Sequence, residues 1–181
     1  MDENELLEAL RAVFLDQLKE LYLPVQPGKS WDEESSRTPG VFLHQLPERT
    51  GDGPGLADRR APYVLLQVLT AQDDRDEAGP YCEYVVQALI ATYAEDAATA
   101  TQALVNVQAR LRLYLLRHPV FGRHFRVLAL SRSIYPEDKT TFATGSMLLT
   151  VRGPGVEPET DMMHMPKPGQ QPTSGGVRFG W

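Results

Sequence analysis

The stretch that most narrows the possible folds is YCEYVVQALIATYA, residues 81–94. Cys82, Tyr84, Val86, Ala88 and Ile90 fall on one side of an extended chain. Glu83, Val85, Gln87, Leu89 and Ala91 fall on the other, which is the alternation of a half-buried strand. Just upstream, PYVLLQVLT (62–70) is rich in β-branched and aromatic residues and bounded by Pro62. The polar run AQDDRDEAGP joins the two and ends in Gly79-Pro80. The pair reads as a long antiparallel hairpin with an extended acidic tip.

Helices are expected on either side. Leu6, Leu7, Leu10, Val13, Phe14, Leu18 and Leu21 recur at spacings of three and four, so residues 2–22 predict an amphipathic helix with one apolar stripe. Asp2 can cap its start, Glu3 and Glu5 suit the positive end of its dipole, and Pro24 lies just beyond its end. Its polar face carries mostly acids, whereas a membrane-surface helix needs Lys and Arg there. A second helix is expected from the Glu95-Asp96 cap to Arg117, with Ala97, Ala100, Leu104, Val107, Leu111, Tyr114 and Leu115 as its stripe. Arg110, Arg112, Arg117 and His118 gather toward its C-terminal end, where the dipole favours cations. Pro119 and Gly122 stop it.

HFRVLALSRSIYP (124–136) and TTFATGSMLLTVRG (140–153), joined by EDK, read as a second hairpin. Residues 23–61 are turn-rich and breaker-rich and read as one long connection, in which VFLHQL has the makings of a short strand. So long a connection is usually functional or disordered, and in an assembly it can lie on a neighbour. The expected architecture is α+β: a mostly antiparallel four-stranded sheet of two β-hairpins, packed with two long helices on one face. The domain is expected over 1–153, with residues 154–181 as an extended C-terminal arm.

Composition limits the classes of function. The chain of 181 residues is 42% hydrophobic and 23% charged, ordinary values for a globular protein. A net charge of −6 argues against sequence-independent nucleic-acid binding, which needs a basic face. With one cysteine, Cys82, neither an internal disulfide framework nor a zinc ribbon can form. The acidic opening MDENELLEAL differs from a signal peptide, and no apolar run reaches bilayer-spanning length. The expectation is a soluble, cytoplasm-made protein with no membrane partner.

The search for chemistry yields candidates that each have a plainer explanation. The run Asp73, Asp74, Arg75, Asp76, Glu77 offers oxygen ligands, but the glycine and bidentate acid of a calcium loop are not in place. A solvated hairpin tip able to repel or steer a charged neighbour explains it better. His44, His118, His124 and His164 form no two-ligand spacing, and MMHM (162–165) is too short a run to specify copper. Cys82, mid-strand, reads as a buried thiol rather than a nucleophile. GDGPG (51–55) lacks the Lys-Ser/Thr ending of a phosphate loop. The arginines from Arg110 to Arg126, interleaved with Tyr114, Phe121 and Phe125, suit a polar face pairing with acids more than RNA, given the net charge. The expectation is no catalytic site, no metal and no cofactor: a protein that makes contacts.

Pro62-Tyr63-Val64, the strand Tyr84 to Ile90, Tyr93-Ala94-Glu95-Asp96 opening a Leu- and Arg-rich helix, and Arg117 to Phe125 together resemble the tail-terminator family of long-tailed bacteriophages, also called tail-completion or neck proteins. The resemblance spans about residues 60–153. It implies a virion protein, assembled in the host cytoplasm, that forms a hexameric ring on the tail tube. Such a ring stops tube polymerisation and faces the head–tail connector; in contractile tails it also touches the sheath. DNA would pass through the lumen, where an acidic wall avoids gripping it. A head–tail connector or neck adaptor contacting the portal is the alternative within the same class.

The resemblance also offers an explanation for the tail. Residues 161–181 carry Pro166, Pro168 and Pro172 and four glycines, which rule out a continuous helix or central strand, yet end in Val177, Phe179 and Trp181. In a ring these apolar residues would anchor on another subunit, by adding a strand to its sheet edge. The expected interface residues are therefore the hairpin tip, Asp73 to Glu77, and Val177, Phe179 and Trp181.

Overall fold

A computed structural model describes residues 3–26, 35–47, 61–135 and 141–155. The chain runs α1 (Glu3–Leu18), β1 (Leu23–Pro24), β2 (Ser36–Arg37), β3 (Gly40–Leu43), β4 (Tyr63–Asp76), β5 (Gly79–Tyr93), α2 (Ala97–Arg117), β6 (Val120–Phe121), β7 (Phe125–Tyr135) and β8 (Phe142–Pro154).

Both long hairpins form, but the expected four-stranded α+β sheet does not. The protein is mostly β: a curled, mixed, six-stranded sheet in the order β3-β4-β5-β8-β7-β6, with β1 and β2 as a separate two-stranded ladder. Two additions make the difference. β3 joins β4 in parallel, Gly40 opposite Tyr63 through Leu43 opposite Leu66. β6 joins β7 through Val120–Arg126 and Phe121–Phe125. Strands of four and two residues are too short to display a period, and a parallel pairing leaves no hairpin signature between its partners. The 23–61 segment is thus not one plain connection, since its described parts hold β1, β2 and β3.

The hairpins are also longer than expected. β4 runs for 14 residues, through Asp73, Asp74, Arg75 and Asp76, all paired with β5. The acidic run is therefore strand, and the turn is only Glu77 and Ala78. Gly79 follows at φ 123°, a conformation that side chains disfavour. At the first helix, the chain leaves the helical path after Leu18, earlier than the expected residue 22. Pro24 favours an extended Leu23, and the chain enters β1 instead.

The apolar periods fall where expected, except that Ala97, in the first turn of α2, is exposed. Leu6, Leu7, Leu10, Phe14 and Leu18 of α1 and Ala100, Leu104, Val107, Leu111 and Leu115 of α2 are buried. They cover one sheet face, made by Val64 and Leu66, the alternate β5 residues Tyr84, Val86, Ala88 and Ile90, and Met147, Leu149 and Val151. α2 starts as anticipated: Asp96 is the N-cap and its side chain accepts from Thr99 N at 2.8 Å. A smaller core lies on the opposite face, where Ala61, Tyr63, Leu65, Ala91 and Tyr93 pack with Phe42 and Phe142.

Bulges interrupt β4 at Leu69 and β7 at Leu128. They sit on one row of the sheet, because Thr70 opposes Val85, Val85 opposes Thr150, and Thr150 opposes Ala129. Each adds a residue and local twist, so the row is where the sheet bends. No helix of the described residues is long and apolar enough to cross a membrane.

Candidate functional site at the tip of the long hairpin

The far half of the β4–β5 hairpin is exposed from Leu69 onward along β4. Side chains alternate there, so the acidic run is divided between two faces. Asp73 opposes Cys82 on the helix side, while Asp74 opposes Tyr81 and Asp76 opposes Gly79 on the outer side. The split disfavours a calcium loop, which needs its oxygens converging on one point. Among the described residues, no group of three or more His, Cys, Asp or Glu is placed to hold a metal ion.

The outer side is locked by a residue that the sequence reading did not single out. Arg152 of β8 forms an ion pair with Asp76 and lies over the Tyr81 ring, its guanidinium carbon 3.5 Å from the centroid. The Tyr81 hydroxyl donates to Asp74 at 3.1 Å. Asp76 also accepts the Ala78 N–H at 2.8 Å, and Asp74 the Arg75 N–H at 2.7 Å. Three strand segments thus converge on one charged knot. The Arg152 hydrogen bond, helped by the Ala78 N–H, lowers the Asp76 pKa below its ordinary 3.8. The bond to Asp74 pushes the Tyr81 hydroxyl up. Arg152 left no signal in the sequence beyond its type, because its role depends on β8 lying beside β5.

Beside the knot, a shallow cleft of about 520 Å³ is lined by Asp76, Tyr81, Arg152, Arg123, His124 and Arg126. Arg126 stands directly opposite Arg152 across β7 and β8, a like-charge pairing that disfavours the isolated chain. Among the described residues, neither Arg123 nor Arg126 has an acidic partner, so the cleft presents positive charge next to the acidic tip.

The remaining candidates are dispersed. Cys82 is buried on the helix side of the sheet, and burial pushes its thiol pKa up, away from a nucleophilic thiolate. Its neighbour Tyr84 is raised for the same first reason. His44 meets Asn4 at 2.9 Å beside a second shallow cleft of about 570 Å³ between α1 and β3. The His118 ring lies 4.8 Å from that of Tyr114, while its backbone N–H closes the end of α2. His124 lies at the tip cleft, so the described histidines do not meet. His164, Val177, Phe179 and Trp181 lie outside the described residues.

No protein family matches the chain, and no curated protein matches it. Among solved structures it is similar to a chain from the virion of a native gene transfer agent (GTA) particle. The likeness covers 83% of this chain and 95% of that one, at 16% identity and a TM-score of 0.40. So distant a likeness assigns neither family nor role.

Proposed function

We propose that this chain is a structural virion protein that forms a ring capping a phage tail tube, ending tail polymerisation and helping to join tail to head. The observation that carries the reading is the hairpin itself. The 14-residue β4 is exposed from Leu69 onward and ends in charged residues, while its partner β5 is held on its other side by β8 as far as Tyr81 opposite Pro154. Arg152, Asp76, Tyr81 and Asp74 hold that end in one shape. A stiff sheet edge with charged residues at its end suits a docking element, since a preformed surface loses less entropy on binding than a mobile loop. The element order of residues 60–153, hairpin, helix and hairpin, accords with the resemblance to tail terminators.

In this reading the partners are further copies of the chain, six in a ring by the resemblance, together with the tail tube protein, the head–tail connector and, in a contractile tail, the sheath. The acidic tip lies at or near the lumen, where it repels DNA phosphates rather than binding them. The C-terminal arm, expected from residue 154, reaches a neighbouring subunit after β8 ends at Pro154. No reaction or cofactor enters the proposal.

Electron microscopy of the purified protein with and without purified tail tubes tests it. Rings, or caps on tube ends, are the expected result. Monomers that never decorate a tube refute it, and binding to portal complexes instead moves the assignment to the neck adaptor.

A further inference from the structure

Two stretches of sheet edge remain open among the described residues. On β4, pairing with β3 stops at Leu66, so Gln67–Asp76 pair with β5 alone. On β7, pairing with β6 stops at Arg126, and the Val127 N–H goes to Pro119 O at 2.8 Å. Beyond that point, Leu128–Tyr135 pair with β8 alone. Open edges of this length are aggregation hazards unless guarded or occupied. The β4 edge bears Asp73, Asp74 and Asp76. The β7 edge bears Arg132 and exposed Leu128, Ile134 and Tyr135.

From this we propose that β4 of one copy pairs antiparallel with β7 of the next, in a register that sets Asp73 opposite Arg132, joining the sheets of neighbouring subunits. The inference rests on the ring reading and specifies its subunit contact.

Direction, phase and charge agree on this register. In the strand order β4-β5-β8-β7 every neighbour is antiparallel, so β4 and β7 point oppositely. Adding a copy in the same orientation continues the alternation. The phase follows from the two bulges. Leu66 O faces the β3 side, where it accepts from His44 N at 2.9 Å. The extra residue at Leu69 moves this role from even to odd positions, so Ala71 and Asp73 turn their backbone groups to the open edge. Val127 faces the β6 side, and the extra residue at Leu128 moves the role to Leu130, Arg132 and Ile134.

An antiparallel ladder requires edge-facing residues to stand opposite one another. Asp73 opposite Arg132 satisfies this, and it also keeps both side chains on the helix side of a continuous sheet. Ala71 then meets Ile134, Gln72 meets Ser133 and Thr70 meets Tyr135. Shifting by two residues in one direction puts Arg75 against Arg132; in the other it puts Ala71 there and leaves Asp73 facing Leu130. Charge selects the middle register. Because the two edges differ, the contact is head-to-tail, the type that closes into a ring when its rotation permits.

The test uses the full chain in analytical ultracentrifugation and native mass spectrometry, with circular dichroism as the folding control. Asp73→Arg and Arg132→Asp should each weaken self-association roughly tenfold or more. The double variant D73R/R132D should restore it. In Gln72→Cys/Ser133→Cys, the two positions form a non-hydrogen-bonded pair about 4.5 Å apart at Cα, so oxidation should give a ladder of covalent multimers. Gln72→Cys/Ser131→Cys, out of register, should not. If folded single variants assemble like the wild type, the subunits join elsewhere: the contact is refuted while the ring reading stands. Failure of the double variant to recover, or cross-linking of the offset pair, refutes the register. A wild type that stays monomeric in solution and on tubes refutes ring and contact together.

Discussion

At the residue scale, the most demanding positions are those that allow no side chain or no substitute. A Cβ on Gly122 would sit 2.7 Å from the Ala9 Cβ, and its φ of 55° is one that only glycine adopts without strain. Gly122→Ala should therefore push α1 from the β6–β7 turn and cost about 1–3 kcal/mol, measurable by denaturant titration. Phe14 is fully buried between α1 and the sheet, and Phe14→Ala should cost about 3–5 kcal/mol. Gln108 is a third such position. It is fully buried under β7 and β8, and its side-chain N–H groups reach Ser133 O at 3.1 Å and Ser146 O at 3.3 Å. Helical period alone marks position 108 as facing the sheet, but a polar residue there is legible only once two strand carbonyls are known to lie above it.

At the element scale, the hairpin tip and the start of α2 depend on carboxylates held in their charged form. The hydrogen bond from Arg152 lowers the Asp76 pKa, and bonds from Thr99, side chain first and then backbone, lower that of Asp96. A group whose folded pKa lies below its unfolded value stabilises the fold above that unfolded value, and the contribution disappears as pH falls through the folded one. Both contributions should thus be present at neutral pH and be lost as pH falls below about 3.8, the ordinary value of an aspartate carboxyl. Asp96→Asn, which caps without a charge, should flatten that part of the acid-stability profile while keeping α2 by circular dichroism. Arg152→Ala should free the tip locally. Hydrogen exchange should speed up over residues 72–81, and the main unfolding midpoint should shift little because the tip lies outside the main core.

At the scale of the whole molecule, the described core is closed without the last 26 residues, because both buried clusters fall between Leu6 and Val151. A chain ending at Gly155 should keep a single cooperative unfolding transition. If the C-terminal arm reaches a neighbour, deleting residues 156–181 should abolish joining of tail to head while leaving that transition intact. A truncated protein that completes tails normally would remove the arm from the mechanism. Among the described residues the surface has the opposite character from the core: the far part of β4, with Asp73, Asp74 and Asp76, and the far part of β7, with Arg132, each pair on one side alone, features that a second copy can use and a lone subunit does not need.

What the sequence determined by itself was every element long enough to repeat its period. The stripes of Leu6 to Leu18 and Ala100 to Leu115, the alternation from Cys82 to Ile90, the Asp96 cap and the pairing of strands within each hairpin all follow from local spacing, since 3.6- and 2-residue periods are set by backbone geometry. Tertiary structure decided what no period encodes. It brought Gly40–Leu43 alongside β4 in parallel, laid Val120–Phe121 along β7, and carried β4 on through Asp76, turning an expected four-stranded α+β sheet into a six-stranded, mostly β one. It also set Arg152 against Asp76 and Tyr81, residues 76 and 71 positions away along the chain. Contacts at such separations are selected by the packing of whole strands, so the chemistry of the hairpin tip could not be read until β8 lay beside β5.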